Sequence, residues 1–144
     1  MPVAASQLFA GFWRRFGAAA IDTVITFAMV GIATVGIYMV GIYMVDALPL
    51  LVMVLLPWAY YIILTGIRGQ TFGKMALGIK VVDVNGNIPG LGRAALREIV
   101  GKIISTLVFW LGFLWTIWDP NKQGWHDKLA STYVIRVSDT EARF

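Results

Sequence analysis

Apolar positions dominate the first half of the chain. Between Phe16 and Ile67 there is no lysine or arginine, and only Asp22 and Asp46 carry charge. A helix needs ~20 residues to cross ~30 Å of hydrocarbon, so this stretch holds two crossings. Asp46, Ala47, Leu48 and Pro49 supply the turn between them, with Pro49 suited to a first helical turn where its missing N–H is harmless. Helix one is expected over about 16–45 and helix two over about 50–66. Helix one is longer than a crossing requires, which implies tilt or an end outside the bilayer. Pro57 removes a backbone hydrogen bond and should kink helix two.

The pattern then turns polar in "GIRGQTFGKMALGIKVVDVNGNIPGLGRAALRE", with Arg68, Lys74, Lys80, Arg93 and Arg97 inside a cytoplasmic segment, 67–98. "GKMALGIK" reads as a short amphipathic turn at the membrane surface, its lysines toward anionic headgroups. "IKVVDV" is short and β-branched and runs into Asn85-Gly86, a turn signal. Pro89 opens a loop that leads into a helix from about Leu91. Segment 99–118, "IVGKIISTLVFWLGFLWTIW", is apolar again. Its uncharged part is ~24 Å long as a helix, short of the hydrocarbon core. It is also rich in aromatic residues (Phe109, Trp110, Phe113, Trp115, Trp118), and the indole rings among them favour the interface. It is either a third crossing with Lys102 snorkelling at its start or an interfacial, re-entrant segment bent near Gly112.

The tail, 119–144, contains "STYVIRV", an alternating β-type run. A lone exposed strand is marginal in water, so its partner should be "GIKVVDV". This gives a small β element, about 78–85 paired with 131–137, on one face of the membrane. Arg14 and Arg15 put the N-terminus in the cytoplasm by the positive-inside rule. A third crossing would send Lys122, Lys128, Arg136 and Arg143 outside, against that rule. Both strands and both termini are therefore expected on the cytoplasmic side.

Composition agrees with the pattern. The 144 residues are 58% hydrophobic and only 14% charged, against roughly a quarter charged in soluble domains, and the mean hydropathy is +0.74. The fold class is membrane α-helical, one domain over 1–144. A secretory signal is excluded because its apolar core runs ~7–15 residues without a carboxylate.

Several chemistries drop out. The chain has no cysteine, hence no disulfide and no thiolate ligand. "GQTFGK" fails as a phosphate loop: Arg68 stands where a glycine is needed and Met75 where a hydroxyl should bind magnesium. The tandem "GIYMVGIYMV" (36–45) spaces its glycines by five, so they spiral round the helix and mark no packing face. One histidine, His126, and scattered carboxylates make neither a hydrolase nor a metal site, so no enzyme activity, cofactor or metal is expected. His126 is read as a packing or capping residue, with a pH-sensing role conceivable. Asp119 is read as a helix-end or turn residue. The basic loop suits anionic lipid better than nucleic acid.

Three blocks in order, "FAGFWRRFGAAAID", "GQTFGKMALGIKVVDVNGNIPGLGRAALRE" and "DPNKQGWHDKLASTYVI", resemble the RDD family of small bacterial membrane proteins, named for one arginine and two aspartates. The resemblance covers almost the whole chain and implies a multi-pass protein of the bacterial inner membrane. Carried over, the arginine falls on Arg15, with Arg14 as the register alternative, and the aspartates on Asp22 and Asp127. Transport, including cation–proton exchange, has been suggested for the family, and the resemblance implies no more.

Arg15 and Asp22 are seven apart, nearly on one helical face and separated by ~10.5 Å along the axis. Asp22 lies ~9 Å inside if hydrocarbon begins near Phe16. A carboxylate there needs a partner or water. Gly17, Ala18, Ala19 and Ala20 are small enough for another element to approach closely. An Arg15–Asp127 salt bridge is expected to tie the tail to the head of helix one. Two functions follow. In one, Asp22 exchanges a proton for a monovalent cation, with Thr23 and Thr26 as further ligands. Because two or three segments cannot enclose a pathway, that reading requires a homo-oligomer. In the other, Arg15, Asp22 and Asp127 are a structural ion-pair clamp in a non-catalytic scaffold or accessory subunit.

Overall fold

The computed structural model describes residues 9–40, 47–108 and 111–137. Two long helices dominate it: α1, Phe12–Met39, and α2, Ala47–Arg68. Both are long and apolar enough to cross a membrane. Their outward faces carry Val24, Phe27, Ile32, Leu50, Met53 and Leu55, all exposed, as suits helices solvated by lipid rather than water. Helix one begins at Phe12 rather than 16, so Arg14 and Arg15 lie within its first turn. It gives way at Val40, and the expected continuation, the second half of the tandem repeat and Asp46 lie outside the described residues. Helix two begins three residues earlier than expected. Ala47, Leu48 and Pro49 are its first turn rather than a connecting turn, since those N–H groups have no helical acceptor and Pro49 loses nothing there. The helix runs on through Pro57 to Arg68.

A short helix, α3, Phe72–Ala76, follows α2 and packs on α1. Because it touches the Gly17–Asp22 stretch of α1, the start of α1 lies beside the end of α2, and the two run antiparallel. Strand β1, Ile79–Asp83, pairs antiparallel with β2, Thr132–Arg136, with Val81 opposite Val134. The expected β element is present. Asn85-Gly86 makes a tight turn, with Gly86 N–H donating to Asp83 O; the chain then enters α4, Gly90–Ala95, so β1's partner comes from the tail. Ile79, Val81 and Val134 face inward and form the core with Ala10 and Ala18. The N-terminal segment adds to the free edge of β2: Ala10 N–H donates to Val134 O at 2.8 Å, and Phe9 bridges Ile135.

The third apolar segment is not one helix. From α4 the chain passes through a π-helical turn, Leu96–Gly101, into α5, Lys102–Leu107. The break comes after Leu107, ahead of the Gly112 expected from sequence. Gly112 lies inside α6, Leu111–Leu114, which continues as a 3-10 turn, Trp115–Ile117. Phe109 and Trp110 lie outside the described residues. The chain then turns through Asp119, whose carboxylate accepts the N–H groups of Asn121 and Gln123, as a turn residue does. It next forms α7, Trp125–Leu129, which packs on the π turn, α5 and α6 before β2.

Candidate functional site

Asp22 is 1% exposed, and its carboxylate is met by three donors from elsewhere in the chain. Oδ1 accepts the Tyr60 hydroxyl at 2.7 Å and the Gly73 N–H at 2.7 Å; Oδ2 accepts the Thr71 hydroxyl. Tyr60 comes from α2, while Thr71 and Gly73 form the start of α3. The Tyr60 oxygen in turn accepts the Phe72 N–H at 3.2 Å. One carboxylate therefore fastens α1, α2 and α3 together. Glycine is required at 73: a Cβ there would sit 2.2 Å from the Ala18 carbonyl oxygen and 2.8 Å from Asp22 Cγ. The small run in α1 admits α3, as its composition suggested.

The Arg15–Asp127 pair does not reach Asp22. Arg15 shares its helix face but reaches the other way, donating from Nε to Ala10 O at 3.0 Å and from Nη1 to Asp127 Oδ2. The Arg15–Asp127 bridge is thus formed, and Asp22 stands apart from it. Arg14 is exposed and, among the described residues, donates to Leu77 O at 3.5 Å, so the arginine that meets Asp127 is Arg15. Thr23 donates to Ala19 O, and Thr26 to the carbonyls of Asp22 and Thr23. Both hydroxyl protons are spent on their own helix, the usual i−4 back-bonding of such residues inside helices.

Around Asp127 a chain of charges runs through the protein, buried at Asp127, Arg97 and Glu98 and half-buried at its two ends. Asp127 is 0% exposed. Its Oδ2 also accepts the Gly124 N–H at 3.1 Å, closing the first turn of α7. Its Oδ1 accepts Arg97 Nε at 2.8 Å. Arg97 Nη1 pairs with Glu98, and Glu98 pairs with Lys102, whose ammonium lies 3.9 Å from the Tyr61 ring centroid. The order is Arg15, Asp127, Arg97, Glu98, Lys102, alternating in sign. The π turn lets neighbours Arg97 and Glu98 both face inward. Such turns widen a helix locally and recur where a helix carries special residues.

Burial alone would raise the carboxyl of Asp127, but the guanidiniums of Arg97 and Arg15 outweigh it and hold it well below the usual range. For Glu98, Lys102 and Arg97 overcome burial in the same way. Burial pushes His126 down to about 4 against the attraction of Asp127, so the imidazole is neutral at pH 7. Its ring stacks obliquely on Phe113 at 4.9 Å, and its Nδ1 has no partner among the described residues. Gly101 makes room for it, since a Cβ there would lie 2.6 Å from that of His126.

Sequence reasoning missed Tyr60, Thr71, Gly73, Arg97, Glu98 and Lys102 as members of these networks. Signals existed for some. "GQTFGK", rejected as a phosphate loop, is the Asp22 cradle, and adjacent opposite charges at Arg97-Glu98 precede an apolar segment. Lys74 borders a cavity of about 800 Å³ that Arg15, Arg97 and Lys102 also line. Among the described residues, no group of three or more carboxylate or imidazole side chains is placed to hold a metal.

Known proteins resemble this chain over most of its length. An uncharacterized membrane protein of Bacillus subtilis, YteJ, is 29% identical over 140 residues, which are 90% of this chain and 82% of that protein. A second Bacillus subtilis protein, YckC, is 33% identical over 137 residues, 92% of this chain and 87% of the relative. A proline-rich antigen homolog of Mycobacterium tuberculosis is 30% identical over 73 residues, half of this chain and 30% of that protein. No solved structure matches. The sequence model of the RDD family spans residues 9–131, from the segment beside β2 through both carboxylate sites. With Arg15, Asp22 and Asp127 all inside that span, the chain belongs to the RDD family.

Proposed function

We propose that this protein is a non-catalytic membrane scaffold, in which two buried polar networks lock a small cytoplasmic cap onto a pair of transmembrane helices. One observation carries the reading. The carboxylates of Asp22, Asp127 and Glu98 are each met by donors of this chain, and those donors come from different elements. A carboxylate that accepts three hydrogen bonds has little left to offer a travelling cation. The membrane is the bacterial inner membrane, with the N-terminus cytoplasmic by the basic residues at the head of α1. The pairing of β1 with β2 supports both ends of segment 99–118 lying on that same side, which makes α5 and α6 a re-entrant pair rather than a third crossing.

Cation–proton exchange by an oligomer is the second reading, favoured by the position of Asp22 at the wall of the cavity. Four basic side chains, Arg15, Lys74, Arg97 and Lys102, border the same space, and they repel the ion that would have to enter. The test is exchange itself. Full-length protein is reconstituted in liposomes with an internal pH dye, and sodium, potassium or lithium is added. The scaffold reading expects no proton movement with any cation. Cation-driven proton movement that disappears in folded Asp22→Asn overturns it in favour of exchange.

A further inference from the structure

The cavity itself has no role in the scaffold reading. It lies at the membrane-facing edge of the cap, between the first three turns of α1, the inner face of the sheet (Ile79, Val134) and α6 (Phe113, Leu114). Two kinds of wall meet there. One is apolar: Phe12, Phe16, Ala19 and Ala20 of α1, with Phe16 59% exposed and both alanines open to the outside. The other is basic, with Arg15, Lys74, Arg97 and Lys102. Asp127 and Glu98 neutralise two of those charges through their salt bridges, and Asp22 is the remaining carboxylate. The group as a whole is left with an excess positive charge.

That excess sits on identifiable atoms. Lys74 makes no hydrogen bond or salt bridge among the described residues, and Arg15 Nη2 is buried without a partner. Buried donors normally find acceptors, and an unpaired buried charge is costly. Burial and the neighbouring Arg97 push the Lys74 ammonium down to about 8, as expected of a cation short of an anion.

We propose that this cavity binds one anionic phospholipid, its phosphodiester facing Lys74 and Arg15 and an acyl chain lying along Phe12, Phe16, Ala19 and Ala20. A phosphodiester brings one negative charge and several acceptor oxygens, matching the excess charge and the spare donors. A free phosphate shares that chemistry, but it would leave most of about 800 Å³ and the whole apolar wall unfilled. Depth fits as well, because the site is level with the first turns of a membrane-spanning helix, where headgroups lie. The inference is independent of the scaffold reading, and a positive or negative exchange assay leaves it standing.

The test is thermal unfolding and native mass spectrometry of the full chain in detergent, with phosphatidylglycerol, phosphatidylcholine or inorganic phosphate added. Phosphatidylglycerol is expected to remain bound at one per chain and to raise the unfolding midpoint by about 5 °C, with the other two giving little. Lys74→Gln removes a charge that holds no structural partner, so it should fold and bind phosphatidylglycerol about tenfold more weakly. Ala20→Phe, at an open position on the apolar wall, should block the chain and weaken binding without altering charge. Equal binding of phosphatidylcholine overturns the proposal, as does unchanged phosphatidylglycerol binding in both folded variants. A shift reproduced by inorganic phosphate alone overturns the lipid in favour of a free anion.

Discussion

At the residue scale, Asp22 and Asp127 solve the problem of a buried carboxylate in different ways. Asp22 is satisfied by neutral donors, two hydroxyls and one amide. Asp127 is satisfied by two guanidiniums and an amide. The first arrangement depends on close approach, so Gly73→Ala should destabilise the fold by about 1–3 kcal/mol by overpacking against the Ala18 carbonyl; denaturant unfolding in detergent measures it. The second has a pH signature through His126. The folded imidazole takes a proton only near pH 4, the unfolded one near its ordinary 6.5. Stability is therefore unaffected by this group above pH 6.5 and falls as pH drops from 6.5 toward 4, where the unfolded chain binds the extra proton, by about 3 kcal/mol at most. His126→Gln should flatten the stability curve across that window. An equally steep fall in the variant would show that another group is responsible.

At the scale of elements, the charge chain makes the end of α4, the π turn and α7 one unit. Arg97 joins both carboxylates, so Arg97→Gln strands Asp127 on Arg15 and Glu98 on Lys102. Breaking a buried pair this way costs about 3–5 kcal/mol. Hydrogen exchange should show α7 and β2 losing protection together, while α3, held by Asp22, keeps its own. The sequence made several of these elements legible. The two long helices follow from an apolar run without lysine or arginine, interrupted near Asp46, and the strand pair from two short alternating segments that each lacked any other partner. Helical spacing showed that Arg15 and Asp22 share a face, but a shared face does not name a partner. Thr71 and Gly73 lie about fifty positions from Asp22, and only folding brings α3 onto the small run of α1. The π turn was invisible for a similar reason: it comes from fitting Arg97 and Glu98 inward together, and no local propensity announces it.

For the whole molecule, the sheet is the feature from which the proposed topology is argued. Segments before and after the aromatic stretch pair with each other, and on the reading proposed above they share one side of the membrane. The absence of cysteine makes this simple to check. Asn85→Cys and Asn121→Cys, both at exposed positions, should react with a membrane-impermeant maleimide from the cytoplasmic side alone. Labelling from opposite sides would require a full third crossing. The central claim is that the Asp22 site is a fastening for three helices, and one measurement tests it most directly: thermal unfolding of Asp22→Asn and Asp22→Ala beside the wild type. Asparagine keeps an acceptor for Tyr60 and Gly73 and offers Thr71 a donor, so most of the stability should remain. Alanine leaves three buried donors without an acceptor, each costing about 1–3 kcal/mol, and should unfold far lower. An alanine variant as stable as the wild type would contradict the account.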